Sequence, residues 1–96
     1  MAKFELGQLV MTRGVANRLE ADSAFARHVM RSVQRYTACD WGEMDDEDKA
    51  MNDSAIGPDE ERVVAAYDPP GHPENKLYII TERDRSYTTI LFPEDY

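Results

Sequence analysis

Asp40–Glu61 reads DWGEMDDEDKAMNDSAIGPDEE, and it separates two halves of different periodicity. Ten carboxylates and one base, Lys49, give the segment a net charge of −9, against −8 for the whole 96-residue chain. The first 39 residues carry six bases and three acids, and the last 35 carry four bases and six acids. The acidity of the chain is therefore the acidity of this one stretch. Ahead of it apolar residues recur at helical spacing, and behind it they alternate.

Within the stretch, Trp41 and Met44 are the expected anchors into a core. Asp45 or Asp46 can cap a short helix running to about Ala55, with Met51 and Ala55 four apart on its apolar side. Acids in a first helical turn favour the positive end of the backbone dipole, so Asp45, Asp46, Glu47 and Asp48 have a structural use available. Gly57-Pro58 ends that helix.

Upstream, Leu9-Val10-Met11 fits a short strand, and Arg13-Gly14 turns the chain into a short helix over Val15–Ala21. Asp22-Ser23 then caps a helix over Ser23–Thr37, whose Phe25, Val29, Val33 and Tyr36 form one apolar stripe. Arg27, Arg31 and Arg35 make a basic ridge on roughly the opposite side. Downstream, Arg62–Tyr67, Lys76–Glu82 and Tyr87–Phe92 read as strands. Asp68–Pro73 is too rich in proline to join a ladder, and Arg83–Ser86 is a connection of hairpin length. The expected fold is α+β: an antiparallel three- to four-stranded meander with two or three helices packed on one face.

Ninety-six residues make one domain, 1–96, with a helical half at 13–56 and a strand half at 62–92. A single cysteine, Cys39, cannot close an internal disulfide, which suits a reducing compartment. MAKFELGQLV lacks the apolar run of a signal peptide, and no run of about 18 apolar residues offers a membrane span. A cytoplasmic protein is expected. The negative charge disfavours direct binding of nucleic acid and favours a basic protein partner.

Chemistry-bearing patterns are sparse. In Asp45–Asp48 only Asp46-x-Asp48 fits the alternate oxygens of an EF-hand loop, and its central glycine and terminal glutamate are missing. One cysteine and two histidines, His28 and His72, give no zinc spacing. Phosphate-binding glycine loops are absent. No metal and no cofactor is expected, and no catalytic residue is assigned. Cys39, ending a helix, reads as a small buried apolar residue. The remaining enzymatic reading is a loop-borne site joining His72 to Asp84, Arg85 and Ser86 of the hairpin.

FELGQLVMTRGV, DWGEMDDEDKAMND and ITERDRSYTTILFPEDY resemble segments of small "plasmid-related" proteins carried on bacterial plasmids, prophages and other mobile elements. The resemblance spans Phe4 to Tyr96 and departs from that pattern in the proline-rich loop Asp68–Pro73. It implies a mobile-element setting, in which small acidic proteins antagonise host defences such as CRISPR or restriction. No functional residue carries over from it.

The expected function is a non-enzymatic interaction module, an anti-defence inhibitor that presents carboxylates to a nucleic-acid-binding groove of a basic effector. Glu43, Asp45, Asp46, Glu47, Asp48, Glu60 and Glu61 are its candidate partner-binding residues, since spaced carboxylates imitate phosphates and complementary fields speed association. Two other uses stand beside it. The arginine ridge of Arg27, Arg31 and Arg35 can dock on the acidic helix, turning the charges inward, and an edge strand (Arg62–Tyr67 or the N-terminal one) can pair with a second copy in a homodimer.

Overall fold

The computed structural model describes residues 4–57, 61–69 and 71–96. In chain order these form β1 (Gln8–Met11), α1 (Arg13–Ala21), α2 (Ser23–Thr37), α3 (Asp46–Ala55), β2 (Val63–Tyr67), β3 (Leu77–Thr81) and β4 (Tyr87–Leu91). Short 3-10 turns occupy Pro73–Asn75 and Pro93–Asp95. The α+β class and the β2-β3-β4 antiparallel meander are as the periodicity and the short connections between these strands predict.

The sheet as a whole is not purely antiparallel. Its strand order is β1-β4-β3-β2, and β1 runs parallel to β4, with Gln8 opposite Tyr87 and Met11 opposite Ile90. A parallel pair needs a long crossover between its strands. Here the crossover comprises all three helices and two strands, so β1 and β4 can run the same way.

Alternation sets the faces. Val63, Ala65 and Tyr67 of β2, Leu77, Ile79 and Thr81 of β3, and Thr88 and Ile90 of β4 share one face, and all are buried. Val15 of α1, Phe25, Val29 and Tyr36 of α2, and Trp41 belong to the same core. The helices follow the strand order, with α1 against β4, α2 against β3 and α3 against β2. Tyr96 lies against the second face: its ring is edge-on to Tyr78 at 6.1 Å, and its hydroxyl accepts from Arg62 at 2.7 Å.

The local signals account for the helix ends. Asp22 caps α2 by accepting from Ala24 N–H and Phe25 N–H. Thr12 caps α1 and also donates to Asp95 Oδ2 at 2.8 Å, tying the first helix to the turn after β4. At the far end of α2, Cys39 holds a left-handed φ of 63°. Cys39 N–H reaches Tyr36 O and Asp40 N–H reaches Arg35 O, the paired bonds of a Schellman cap. Glycine usually takes that position. Cys39 takes it while packing against the core, so it is half-buried, not fully enclosed.

One buried chain of hydrogen bonds crosses the core. Thr88 Oγ1 donates to Leu6 O, and so must accept from Thr81 Oγ1, 2.7 Å away. Thr81 in turn accepts from the Tyr36 hydroxyl at 2.7 Å. The direction is fixed by the terminal carbonyl, which can only accept.

Candidate functional site

The acidic stretch does not form one uniform surface. Its front end is used internally. The Asp40 carboxylate takes both Nε and Nη2 of Arg35, at 2.8 and 3.2 Å, and also Gly42 N–H at 3.1 Å. That fork holds the Asp40 carboxyl below its ordinary range, with Arg35 the largest cause. Glu43 sits 3.8 Å from Arg35 and accepts the backbone N–H of Asp68. Asp53 accepts the indole N–H of Trp41 at 2.9 Å.

The middle behaves differently. Asp45 caps α3 by accepting Asp48 N–H at 2.8 Å, and Asp46, Glu47 and Asp48 fill its first turn. Among the described residues none of these four has a cationic side chain within ion-pair distance. The basic ridge of α2 does not reach them: Arg35 is taken by Asp40 and Glu43, while Arg27 and Arg31 pair with no described carboxylate. Glu61 contacts Arg83 at 3.4 Å, an exposed pair worth ~0–1 kcal/mol. Glu60 lies outside the described residues.

Beside these acids runs a groove between α3 and β2, with a volume of about 580 Å³. Met44, Met51, Ala55 and Val64 line its apolar part, and Glu47, Asp48 and Glu61 its acidic rim. Arg62 also lines it, but its guanidinium is turned to the Tyr96 hydroxyl. Met51 is the departure from the sequence reading. Helical spacing predicts it beside Ala55 on the apolar side, yet Asn52 and Ala55 are buried and Met51 is 65% exposed. Ala55 faces inward as its spacing predicts, but its neighbour on the inward face is Asn52, which has a partner on β2, and not Met51. Spacing alone gave no sign of this.

The two sheet edges also differ. Asn52 Nδ2 donates to Val64 O and Asn52 Oδ1 accepts Val64 N–H, while Glu43 N–H donates to Ala66 O at 2.8 Å. β2 is thereby closed to a second copy by its own chain, leaving β1 as the edge with exposed Leu9 and Met11.

His72 and Asp84 are not brought together. They lie beyond opposite ends of β3: the hollow at Asp84 is lined by Glu82, Arg83, Ser86 and Tyr87, and the one at His72 by Arg18, Asp22, His28 and Asn75. Asp84 instead accepts from Ser86 Oγ and Ser86 N–H, and Arg85 donates to the carbonyls of Ala55, Glu61 and Glu82, so the hairpin residues hold the turn and the end of α3. No described cluster of His, Cys, Asp or Glu is placed to hold a metal, and no described helix is long and apolar enough to cross a membrane.

Comparison with protein-family models, curated proteins and solved structures finds no match to this chain.

Proposed function

We propose that this protein is a protein-interaction module whose α3–β2 groove receives a basic, partly apolar segment of another protein. The carrying observation is Met51: a large apolar side chain, 65% exposed, lining the same groove as the carboxylates of Glu47, Asp48 and Glu61. Methionine is flexible and polarizable, and adapts to varied apolar partners. The unpaired acids at the start of α3 add long-range attraction to a cation-rich surface and set the sign of the partner. A nucleic-acid-binding effector of a host defence system has such a surface, and the resemblance to mobile-element proteins favours that class of partner.

The test is capture from host lysate on the immobilised native protein, on a Glu47→Lys/Asp48→Lys/Glu61→Lys variant and on Met51→Glu. A basic protein retained by the native form, released by salt and lost from both variants supports the reading. Equal retention by all three rejects it.

A further inference from the structure

The open edge of the sheet, β1, has hydrogen-bonding groups whose direction can be assigned. Gln8 N–H donates to Ser86 O and Thr12 N–H to Ile90 O, so the even-numbered residues of this strand face β4. The N–H and C=O groups of Leu9 and Met11 therefore point away from the sheet. Sheet edges are commonly blunted by a charge, a proline, a bulge or a covering segment. Asn52 and Glu43 cover β2 in this way, but Gln8–Met11 contains no charged residue and no proline.

The side chains of this edge are incomplete in the same direction. Leu9 and Met11 lie opposite Thr88 and Ile90, hence on the face that carries the core. The helices pack over β4, β3 and β2, and Leu9 and Met11 remain 45% and 36% exposed.

We infer that β1 pairs antiparallel with β1 of a second copy, making one sheet continuous across a two-fold axis. The chain restricts the register. Gly7 bounds the strand with a left-handed φ of 66°, and Arg13 opens α1. Between them only Leu9 and Met11 offer outward groups, and all of these are used when Leu9 faces Met11 of the other copy. Each such pair then exchanges both N–H···O bonds, and the two Val10 residues face each other at the axis. On the core face each Leu9 gains Met11 of the other copy as its cross-strand neighbour.

Charge favours this arrangement. Glu5 and Arg13 are exposed at opposite ends of the strand, so antiparallel pairing brings the acidic end of one copy to the basic end of the other. A chain of net charge −8 resists self-association in general. However, the acidic helix α3 packs on β2, at the far side of the sheet. Joined at β1, the two β2 strands lie about 34 Å apart at ~4.8 Å per strand. That is several Debye lengths at physiological salt. Each copy also keeps its α3 groove at an outer end, and the pairing does not depend on what that groove binds.

The test begins with sedimentation of the full chain under reducing conditions. Between about 5 μM and about 500 μM the mass should move from 11.0 kDa towards twice that value. Leu9→Pro removes an outward N–H and leaves the ladder to β4 intact, while Leu9→Lys places a charge on the edge. Each should weaken association at least about tenfold. Circular dichroism reports whether each variant stays folded, and either one suffices. Under oxidation, the thiols of Val10→Cys face each other at the axis, with Cα atoms ~4.5 Å apart. Those of Gln8→Cys lie four positions out of register, about 13 Å along the strands. Val10→Cys should therefore link two chains at least about tenfold faster than Gln8→Cys, with the native chain as background. A monomer at every concentration, association unchanged in the folded Leu9 variants, or equal linking by the two thiols overturns the inference.

Discussion

The side-chain amide of Asn52 pairs with the backbone of Val64 as a neighbouring strand would, giving a proton to its carbonyl at 2.7 Å and taking one from its N–H at 3.2 Å. Only an amide offers both atoms in that arrangement. Asn52→Asp faces the Val64 carbonyl with an acceptor in place of a donor, and is expected to lose about 2 kcal/mol at pH 7. Protonating the new carboxyl restores the donor. Its folded-state pKa is therefore raised, the folded form binds more protons there, and the deficit relative to the native chain shrinks as pH falls from 7 to 5. Urea unfolding of both proteins across that range checks it; a constant difference rejects the pairing.

Arg85 combines a left-handed φ of 60° with three carbonyl partners. Its two features can be separated by substitution. Arg85→Ala loses the bonds and keeps the backbone strain, whereas Arg85→Gly loses the bonds and relieves it. Arg85→Gly is expected to be more stable than Arg85→Ala by about 1 kcal/mol, although both fall below the native chain. Equal stabilities in chemical denaturation would show that the turn carries no strain.

The Tyr36–Thr81–Thr88 chain should respond unevenly to deletion. Tyr36→Phe removes the first donor and leaves Thr81 able to donate onward to Thr88. Thr81→Val leaves the Tyr36 hydroxyl only the longer 3.4 Å bond to Val63 O and deprives Thr88 of its incoming proton, so it is expected to cost about 1 kcal/mol more. The double variant should cost less than the two single changes together, since they act on one network. A double-mutant cycle in urea measures this, and strict additivity would mean that the hydroxyls act independently.

His28 makes stability depend on pH near neutrality. Burial lowers its folded pKa from the ordinary 6.5, so below that value the unfolded chain takes up a proton that the folded chain resists. Stability then rises with pH and is lost as pH falls from about 7.5 towards 5.5. Urea midpoints of the native protein should decline over that interval more steeply than those of His28→Gln. Parallel pH profiles would remove His28 as the cause.

How far the sequence reached can be judged from the arginines. Arg27, Arg31 and Arg35 are evenly spaced and look alike in the chain, yet among the described residues only Arg35 meets carboxylates. The left-handed turn at Cys39 folds Asp40 back onto the last turn of α2, and a bend at a non-glycine residue leaves no compositional mark. Spacing was a better guide where burial is periodic: α2, with Phe25, Val29 and Tyr36, and the alternating β2, β3 and β4 lie where the pattern put them. Trp41 and Met44 likewise reach the core as expected. Strand direction is another matter, because alternation is the same in parallel and antiparallel pairs, so β1 could be recognised without its orientation. The acids divided for a similar reason. Composition showed their clustering, but the uses of Asp40, Glu43 and Asp53 depend on Arg35, Asp68 and Trp41, which are brought near only by the tertiary fold.

β1 joins β4 through pairs that are each 79 positions apart in the chain. Translation delivers the amino-terminal strand long before its neighbour exists, and that neighbour leaves the ribosome among the last residues of the domain. Leu9 and Met11 must therefore wait, unpaired, while the helices and the hairpin assemble. Completion of the sheet is a late event in the synthesis of these residues, and a nascent chain stalled before Tyr87 has no strand for β1 to join.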